Sequence, residues 1–266
     1  MHLSPEQLRS YHEDGYLLVE GVFDAAEVEV FRAQLPAIFD EDTPARVLEE
    51  GTETVRMTHG QHKTNAVFGD LVRDERVLLP ARAILDDDVY VHQFKLNAKA
   101  AFDGETWAWH QDFVFWHHED GMPEPRTLNA AVFLDDVHEF NGPLIVIPGT
   151  HLAGRHDEQA RDTGLTEDDP DWMSHLTVEL KYELERETIA AHIDRRGMVA
   201  PKAKAGGVLF FSPAIFHGSA PNMSTTDRTM ALISYNSCEN HLLEVPEPRP
   251  WFLAERDFTP VTPLGR

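Results

Sequence analysis

The segment from Trp107 to Met122 reads Trp-Ala-Trp-His-Gln-Asp-Phe-Val-Phe-Trp-His-His-Glu-Asp-Gly-Met, and the fold prediction starts from it. It contains His110 and Asp112, one residue apart. In a β-strand the side chains of residues i and i+2 point to the same face, so this imidazole and this carboxylate would converge on one point. Together they supply two ligands of the 2-His-1-carboxylate set that binds Fe(II) in non-haem oxygenases.

Three His-x-Asp pairs compete for this role: His12/Asp14, His110/Asp112 and His118/Asp120. The first pair lies on a predicted helix that begins with Ser4 as its cap and Pro5 in its first turn, and residues i and i+2 of a helix do not face each other. The third pair comes just before Gly121 and Pro123, which predict a turn. The middle pair, on a predicted strand, is therefore the candidate metal-binding pair.

The composition is that of a globular and strongly acidic chain. It has 266 residues, with 23 Lys and Arg against 46 Asp and Glu, so its formal net charge is −23. This charge argues against nucleic acid or an anionic membrane surface as a partner. The single cysteine, Cys238, excludes an internal disulfide and a cysteine-based zinc site. Neither a signal peptide nor a membrane-spanning apolar run is visible, so a cytoplasmic protein is expected.

Hydrophobic patterning predicts a mostly helical N-terminal flank, residues 1–88, followed by a strand-rich core, residues 89–240. Flank elements are predicted as a helix from Pro5 to about Asp14, a strand at Tyr16–Val19 and helices at Ala25–Ile38 and Phe68–Leu85, whereas residues 46–63 show no clear period. Core strands are predicted at Val89–Asn97, around His110, and at Thr127–Leu134, Leu144–Ile147, Val208–Ser212 and Met230–Tyr235.

Two further segments complete the prediction. The charged residues 155–200 are expected to form an insertion in the sheet, and the Pro-rich tail is expected to wrap the surface. Helices followed by closely spaced strands indicate a mainly β fold with a helical flank. The preferred form is a double-stranded β-helix (a jelly roll, cupin-like) in a single domain, residues 1–266.

A third metal ligand is predicted after the apolar strand that ends at Ser212. His217 lies there, where the rim of a jelly roll is expected, and Arg228 begins the next strand. Arginine binds a carboxylate through two parallel N–H donors, which lysine cannot do as well. A metal site with such an anchor beside it indicates a bound 2-oxo acid, to which Ser219 can add a hydroxyl donor.

The residues around these motifs resemble a known family. The strings that carry the resemblance are Trp109-His110-Gln111-Asp112-Phe113, Trp116-His117-His118-Glu119-Asp120-Gly121-Met122, Asn141-Gly142-Pro143-Leu144 and Pro148-Gly149-Thr150-His151. Over essentially its whole length the chain is similar to the phytanoyl-CoA dioxygenase family of Fe(II)/2-oxoglutarate-dependent oxygenases. Within that family it resembles the bacterial small-molecule branch, which contains ectoine hydroxylase and the free L-proline trans-4-hydroxylases.

The resemblance implies roles for individual residues. His110, Asp112 and His217 would bind Fe(II), and Arg228 and Ser219 would hold the distal carboxylate of 2-oxoglutarate. Dioxygen would be the third reactant, and succinate and CO2 would be released.

Other positions match residues that line the two ligands in ectoine hydroxylase. Asn97 and Trp107 would line the cosubstrate, whereas Gln93 and Trp116 would line the substrate pocket.

The chain also departs from the ectoine hydroxylase pattern at three positions. Lys95 stands where that enzyme has arginine in Gln-x-Arg-x-Asn, Phe113 replaces a small polar residue, and Met230 replaces an asparagine. The string from Val89 to Ala100 and the string from His217 to Ser224 look more like the proline hydroxylases. Free L-proline, hydroxylated to trans-4-hydroxy-L-proline, is therefore the expected small-molecule substrate.

An amino acid substrate needs a cation for its carboxylate as well as an apolar wall. Trp116 and Phe113 can form the wall, and Arg126 and Arg56 are the candidate cations. Two alternatives stay open: hydroxylation of ectoine or of another cyclic amino acid, and a non-catalytic metal-binding role for a jelly-roll protein. Because related enzymes of one fold differ in substrate, the fold alone does not choose among them.

Overall fold

The computed structural model describes residues 1–156 and 180–265, and its strands form two antiparallel sheets. The strands are β1 (Tyr16–Val19), β2 (Arg46–Leu48), β3 (Val55–His59), β4 (Val89–Lys99), β5 (Trp107–His110), β6 (Thr127–Phe133), β7 (Leu144–Val146), β8 (Val208–Phe211), β9 (His217–Ser219) and β10 (Arg228–Ser237). The large sheet has the order β1-β8-β6-β10-β4-β3-β2 and the small sheet the order β5-β9-β7. This pair of sheets with flanking helices confirms the predicted jelly roll.

Residues 1–156 and 180–265 contain eight helices. Most of them bury apolar residues in the core on one side of the large sheet, whereas the last two pack in other clusters. The helices are α1 (Pro5–Asp14), α2 (Ala25–Arg32), α3 (Leu35–Asp40), α4 (Gln61–Thr64), α5 (Ala66–Leu71), α6 (Glu75–Leu85), α7 (Asp112–Asp120) and α8 (Arg186–Arg196). Helix α1 begins and ends as predicted, because Ser4 and Gln7 form a capping box and Gly15 closes the helix with φ 81°. None of the described helices is long and apolar enough to cross a membrane.

Two helices predicted as continuous are broken in the structure. The predicted helix Ala25–Ile38 divides into α2 and α3, because Pro36 lacks the N–H that would continue the first helix and fits only the first turn of a new one. The predicted helix Phe68–Leu85 divides into α5 and α6, and the Asp74 side chain caps α6 by accepting a hydrogen bond from the Arg76 N–H.

The N-terminal flank contributes more to the sheet than predicted. Strand β1 pairs with β8, while β2 and β3 extend the large sheet beyond β4. The sequence of β3 shows no alternation because four of its five residues are buried, which hides the period of two that an exposed face produces.

The two faces of the large sheet have different roles, as strand β10 shows. Ala231, Ile233 and Tyr235 pack against the helical flank in the main hydrophobic core. Met230 and Leu232, on the other face, pack in a second cluster and line a cavity between the two sheets. Burial of one such side chain is worth roughly 1.5–3 kcal/mol, so both faces of the strand are firmly held.

The segment that contains the metal-binding pair differs from the prediction. Strand β5 ends at His110, and Asp112 is the first residue of helix α7, so the pair is not carried by one strand. Gln111 between them is extended, with φ −120° and ψ 122°, and this keeps both side chains on one side. The prediction that His118 and Asp120 lie on a turn is wrong, because both belong to the last turn of α7.

The predicted insertion at residues 155–200 lies partly outside the described residues, which omit 157–179. The described part contains helix α8, and the three apolar residues Leu180, Leu184 and Ile189 are buried. The tail after β10 adds no strand to either sheet. It does not stay on the surface as predicted, because Phe252 and Leu253 are buried against Val47 and Met57. It is fixed to the end of α7 by the Leu243 N–H, which donates to the Gly121 carbonyl at 2.8 Å.

Candidate active site

Three buried ligand groups converge between the two sheets. His110 ends β5, Asp112 begins α7, and His217 begins β9 directly opposite His110 in the sheet register. The Asp112 carboxylate lies 3.5 Å from His110 Nε2 and 3.7 Å from His217 Nε2. The three ligand atoms lie within 4.8 Å of one another, and no other cluster of this kind occurs in residues 1–156 and 180–265.

Backbone carbonyls set the tautomer of both histidines. His110 Nδ1 lies 2.7 Å from the Ala108 oxygen, and His217 Nδ1 lies 3.0 Å from the Ile215 oxygen. Because a carbonyl only accepts hydrogen bonds, each Nδ1 carries the proton and each Nε2 presents its lone pair to the space between the ligands.

The third ligand, Asp112, is oriented by a chain of hydrogen bonds. Asn129 of β6 donates to Asp112 Oδ2 at 2.7 Å, and Ser234 of β10 donates to the Asn129 oxygen at 2.7 Å. Lys95 lies on the other side, with its Nζ 4.0 Å from Asp112 Oδ1. The carboxylate is therefore held by two strands of the large sheet.

The charges of the three groups suit a divalent cation. Burial alone would raise the pKa of Asp112, but the positive charge of Lys95 and the interactions with His217 and His110 hold the pKa of this carboxyl well below its usual range. Burial lowers the pKa of His217 to about 3. An ionised carboxylate and neutral imidazoles are the states that bind metal, and two histidines with one carboxylate fit Fe(II).

A buried guanidinium lies in the same cavity. Arg228 donates to the Asn97 side-chain oxygen at 3.1 Å and to the Gly142 carbonyl at 2.6 Å. Gly142 has φ 68°, and a Cβ there would lie 2.6 Å from the Ala220 oxygen, so the close approach requires glycine. Burial lowers the pKa of Arg228 to about 10, so the group keeps its charge.

Arg228 has spare hydrogen-bonding capacity. In the described chain its Nε has no hydrogen-bond partner, no carboxylate accepts a hydrogen bond from it, and the nearby Ser219 hydroxyl is also unpartnered. Buried polar groups are normally paired, so both are suited to a ligand that brings acceptor oxygens. The distal carboxylate of 2-oxoglutarate fits this requirement.

Nine of the predicted site residues line one cavity: Gln93, Asn97, Trp107, His110, Asp112, Trp116, His217, Ser219 and Arg228. Three others, Phe113, Arg56 and Arg126, do not.

Phe113 lies off the cavity because residues 112–120 form a helix. A helix places residues i, i+3 and i+4 on one face, so Phe115 and Trp116 share the cavity face with Asp112. Phe113 does not line the cavity and belongs to a hydrophobic cluster with Met122 and Ala214. The wall that was predicted for Trp116 and Phe113 is formed by Trp116 and Phe115.

The two predicted substrate cations are occupied elsewhere. Arg56 is buried, donates to Glu49 at 2.7 Å and stacks 3.7 Å above the Trp107 ring, so it supports a wall of the cavity from behind. Arg126 pairs with Asp87 at 3.1 Å, and its side chain is 46% exposed. Neither side chain reaches the cavity.

Arg249, which sequence reasoning missed, lines the cavity instead. It comes from the tail, and its Nε and Nη2 donate to the two oxygens of Asp120, both at 2.7 Å. Two contacts hold the tail against β4: the Gln93 side chain donates to the Leu253 carbonyl, and the Glu255 N–H donates to the His92 carbonyl, both at 2.9 Å. The tail has no helical or strand periodicity, so the sequence does not show that it returns to the sheet and brings Arg249 to the cavity.

Comparisons with known proteins show which family the chain belongs to. The family model for phytanoyl-CoA dioxygenase (PhyH) matches residues 11–230. An L-proline trans-4-hydroxylase of Streptomyces griseoviridis is 40% identical over 96% of this chain and 93% of its own length. An ectoine dioxygenase of Sphingopyxis alaskensis is 36% identical over 96% of this chain and 83% of its own.

A solved structure shares the fold. The crystal structure of EctD from S. alaskensis with 2-oxoglutarate and 5-hydroxyectoine has a TM-score of 0.84 and 32% identity, and the match covers 99% of this chain and 88% of that one. Fold, ligand set and sequence agree, and the chain belongs to the phytanoyl-CoA dioxygenase (PhyH) family.

Proposed function

We propose that this protein hydroxylates a small free amino acid, L-proline before others, to trans-4-hydroxy-L-proline. The enzyme is an Fe(II)/2-oxoglutarate-dependent dioxygenase, with His110, Asp112 and His217 as the iron ligands. The observation that carries the substrate proposal is the second guanidinium, Arg249, which lines the cavity that already contains Arg228. One arginine serves the cosubstrate, and the other is available to the carboxylate of a substrate.

The cosubstrate end of the cavity is built around Arg228. Its unpartnered Nε and the Ser219 hydroxyl are suited to the distal carboxylate of 2-oxoglutarate, and Asn97 and Trp107 line the same space. Iron, 2-oxoglutarate and dioxygen together supply the oxidising power. One oxygen atom enters the substrate C–H bond, the other enters succinate, and CO2 leaves.

The substrate end is built around Arg249. Asp120 occupies the Nε–Nη2 edge of the guanidinium, so in the described chain Nη1 keeps its donors for a ligand. A guanidinium with one edge fixed is well placed to bind a carboxylate with the other. Nearby, the Gln93 amide nitrogen donates to Leu253, which leaves its carbonyl oxygen to accept from a substrate ammonium group.

The remaining wall is apolar and suits the ring of proline. Trp116, Phe115 and Met57 line the cavity. They exclude water and can orient the ring carbon toward the iron ligands. Positioning the substrate and excluding water are the protein's contribution to the reaction.

Ectoine is the second candidate substrate, and the similarity to EctD favours it. It also carries a carboxylate and a ring, so Arg249 and Trp116 would suit it as well. Lys95 and Met230, the two departures from the ectoine hydroxylase pattern that line the cavity, favour proline. The other alternative is a non-catalytic metal-binding role. It does not explain why Arg228 is buried without a carboxylate partner, whereas 2-oxoglutarate would supply that carboxylate.

Product analysis by NMR tests the substrate. L-Proline should give trans-4-hydroxy-L-proline, and L-prolinamide, which lacks the carboxylate, should be turned over at least about tenfold less well because a hydrogen bond to a charged group is worth roughly 1.5–3 kcal/mol. In Arg249→Gln this preference should largely disappear, while the affinity for 2-oxoglutarate stays within a few-fold.

The matched control is Arg126→Gln, which removes the surface arginine that was predicted from the sequence as a candidate partner of the substrate carboxylate. It should leave the proline-to-prolinamide ratio unchanged. A better turnover of ectoine than of proline would replace the proline proposal with the ectoine one.

A further inference from the structure

One cavity contains two arginines, and 2-oxoglutarate is a dicarboxylate that either of them could attract. Arg228 and Arg249 both line the cavity. A second molecule of 2-oxoglutarate at Arg249 would block the substrate, so the enzyme needs a difference between the two cations. The structure contains such a difference in the charge that surrounds each of them.

Arg228 is not compensated by a bound carboxylate. Its hydrogen-bond acceptors, the Asn97 side-chain oxygen and the Gly142 carbonyl, are neutral. Asp135 acts on Arg228 only through its more distant charge. The cosubstrate end of the cavity therefore presents a nearly full positive charge to an incoming dianion.

Arg249 is compensated completely. Asp120 accepts from it with both oxygens at 2.7 Å, and Asp120 is 0% exposed. The His92 imidazole lies 3.2 Å from this carboxylate, and the Arg256 guanidinium donates to the Asp120 backbone carbonyl at 2.8 Å. Arg249 thus presents oriented donors but less positive charge than Arg228, which has no carboxylate partner.

The position of Asp120 indicates that this pairing has a purpose. Asp120 is the last residue of α7, and a negative charge is disfavoured near the negative end of a helix dipole. A buried ion pair also contributes little or nothing to stability compared with apolar residues of the same size. A carboxylate placed here is costly to the fold, which favours a role in recognition.

We propose that Asp120 is a specificity-determining residue that keeps the two acid sites apart. By neutralising Arg249 it makes the substrate end selective for a zwitterionic amino acid, which carries its own cation, and unfavourable for the dianionic 2-oxoglutarate. The inference rests on the proposed function, because it assigns the substrate end to an amino acid.

The geometry of strand β4 keeps the two ends separate. Asn97, which contacts Arg228, and His92, which lies beside Asp120, are five residues apart in this strand. At about 3.3 Å per residue they are roughly 16 Å apart. Each arginine is therefore held beside a different stretch of β4, and the charge around each of them can differ.

The experiment counts 2-oxoglutarate sites by calorimetry on the full chain loaded with Zn(II), which binds the ligands without turnover. The unaltered protein should bind one equivalent. Asp120→Asn, which keeps the shape but removes the charge, should bind a second equivalent, with an affinity at the Arg249 site raised about tenfold or more. In the iron enzyme, excess 2-oxoglutarate should then inhibit this variant in competition with proline.

Two variants provide controls. Asp87→Asn removes the partner of the surface arginine Arg126 and should leave one site and no inhibition. The double variant Asp120→Asn/Arg249→Gln should return to one site, because the exposed charge is gone. A folded Asp120→Asn protein that binds a single equivalent and is not inhibited would overturn the proposal.

The unaltered enzyme gives a second test that does not depend on the folding of a variant. Succinate should compete with 2-oxoglutarate but not with the amino acid. Competition with the amino acid in the unaltered enzyme contradicts the role of Asp120. Site counting requires no amino acid, so a failure to hydroxylate proline would be recognised separately.

Discussion

Arg228 is a buried cation, and the protein provides no carboxylate that accepts a hydrogen bond from it in the described chain. Two neutral oxygens accept from it, its Nε is unpartnered in the described chain, and it is almost fully buried. Burying a charge is costly unless a partner compensates it, so the free protein retains a strong preference for a carboxylate at this point.

Arg228→Lys is predicted to weaken 2-oxoglutarate binding about 10- to 100-fold, because lysine keeps the charge but loses the two-donor fork. The affinity for proline should change far less. Titration of each ligand into the metal-loaded variant measures both. An equal loss for the two ligands would indicate general damage to the cavity and contradict the assignment.

Single residues were the most predictable part of the site, because few residue types perform their chemistry. Histidine and aspartate at the right spacing indicated the metal ligands, and arginine with serine indicated the acid anchor. Arg249 could not be found in this way. Its role depends on where the irregular tail returns to the sheet, and Arg56 and Arg126 looked equally suitable until their partners Glu49 and Asp87 were seen.

Helix α7 connects both ends of the cavity through its own two ends. Asp112 begins the helix, where the dipole favours a negative charge, and Asp120 ends it, where Arg249 compensates the charge. Trp116 lies between them on the cavity face. Because these residues form a helix, Phe115 shares the cavity face with Asp112 and Trp116, whereas Phe113 does not.

Strand β6 acts on the metal site through Asn129. Asn129→Ala removes the hydrogen bond to Asp112 and is predicted to lower metal affinity about 10- to 100-fold, since groups that orient a ligand typically contribute that much. Titration with Co(II) measures the affinity and its visible spectrum reports the coordination geometry. Ser234→Ala, one step further away, should have a smaller effect.

Asn240→Ala is the matched control for this prediction. Asn240 is also a buried asparagine, but it donates to the Glu124 carbonyl at 2.7 Å, away from the ligands. It should reduce the free energy of unfolding and leave Co(II) affinity unchanged. An equal loss of metal affinity in both variants would show that Asn129 acts only on stability.

The whole molecule is predicted to lose stability in acid because it buries neutral histidines. Burial lowers the pKa of His59 to about 3 and that of His62 to about 4, whereas an unfolded histidine takes its proton near 6.5. Below pH 6.5 the unfolded chain therefore binds protons that the folded chain does not, and the free energy of unfolding falls as pH drops toward 4. Each group contributes up to roughly 2 kcal/mol between pH 7 and 5.

Urea unfolding at pH 7 and pH 5 measures this loss, with metal removed by a chelator. His62→Phe should show a smaller difference between the two pH values, because the phenyl ring has no proton to bind. The His62 ring lies 5.6 Å from that of Phe94, so an aromatic replacement suits the site. An unchanged difference would mean that His62 does not resist protonation in the fold.

For the molecule as a whole, the jelly-roll architecture could be predicted from the sequence, whereas several ends of helices and strands could not. The long strands β4, β6 and β10 carry enough β-favouring residues to be recognised. Strands β2 and β3 escaped notice because β3 is held by pairing with β4, and β2 by pairing with β3, rather than by their own composition. Helix ends were set by Pro36 and Asp74, whose effects depend on the local chain path.

The tail that follows β10 carries Arg249 but contributes no strand to either sheet. Its length and composition can therefore change without disturbing a strand register, while the iron ligands and Arg228 stay on the strands and on α7. Irregular segments held on a rigid scaffold tolerate such changes better than the scaffold itself. With Arg249 in its proposed role, the iron ligands lie on the scaffold and a substrate contact lies on a segment that can be exchanged. Transplanting residues 243–258 between relatives is therefore expected to change the substrate.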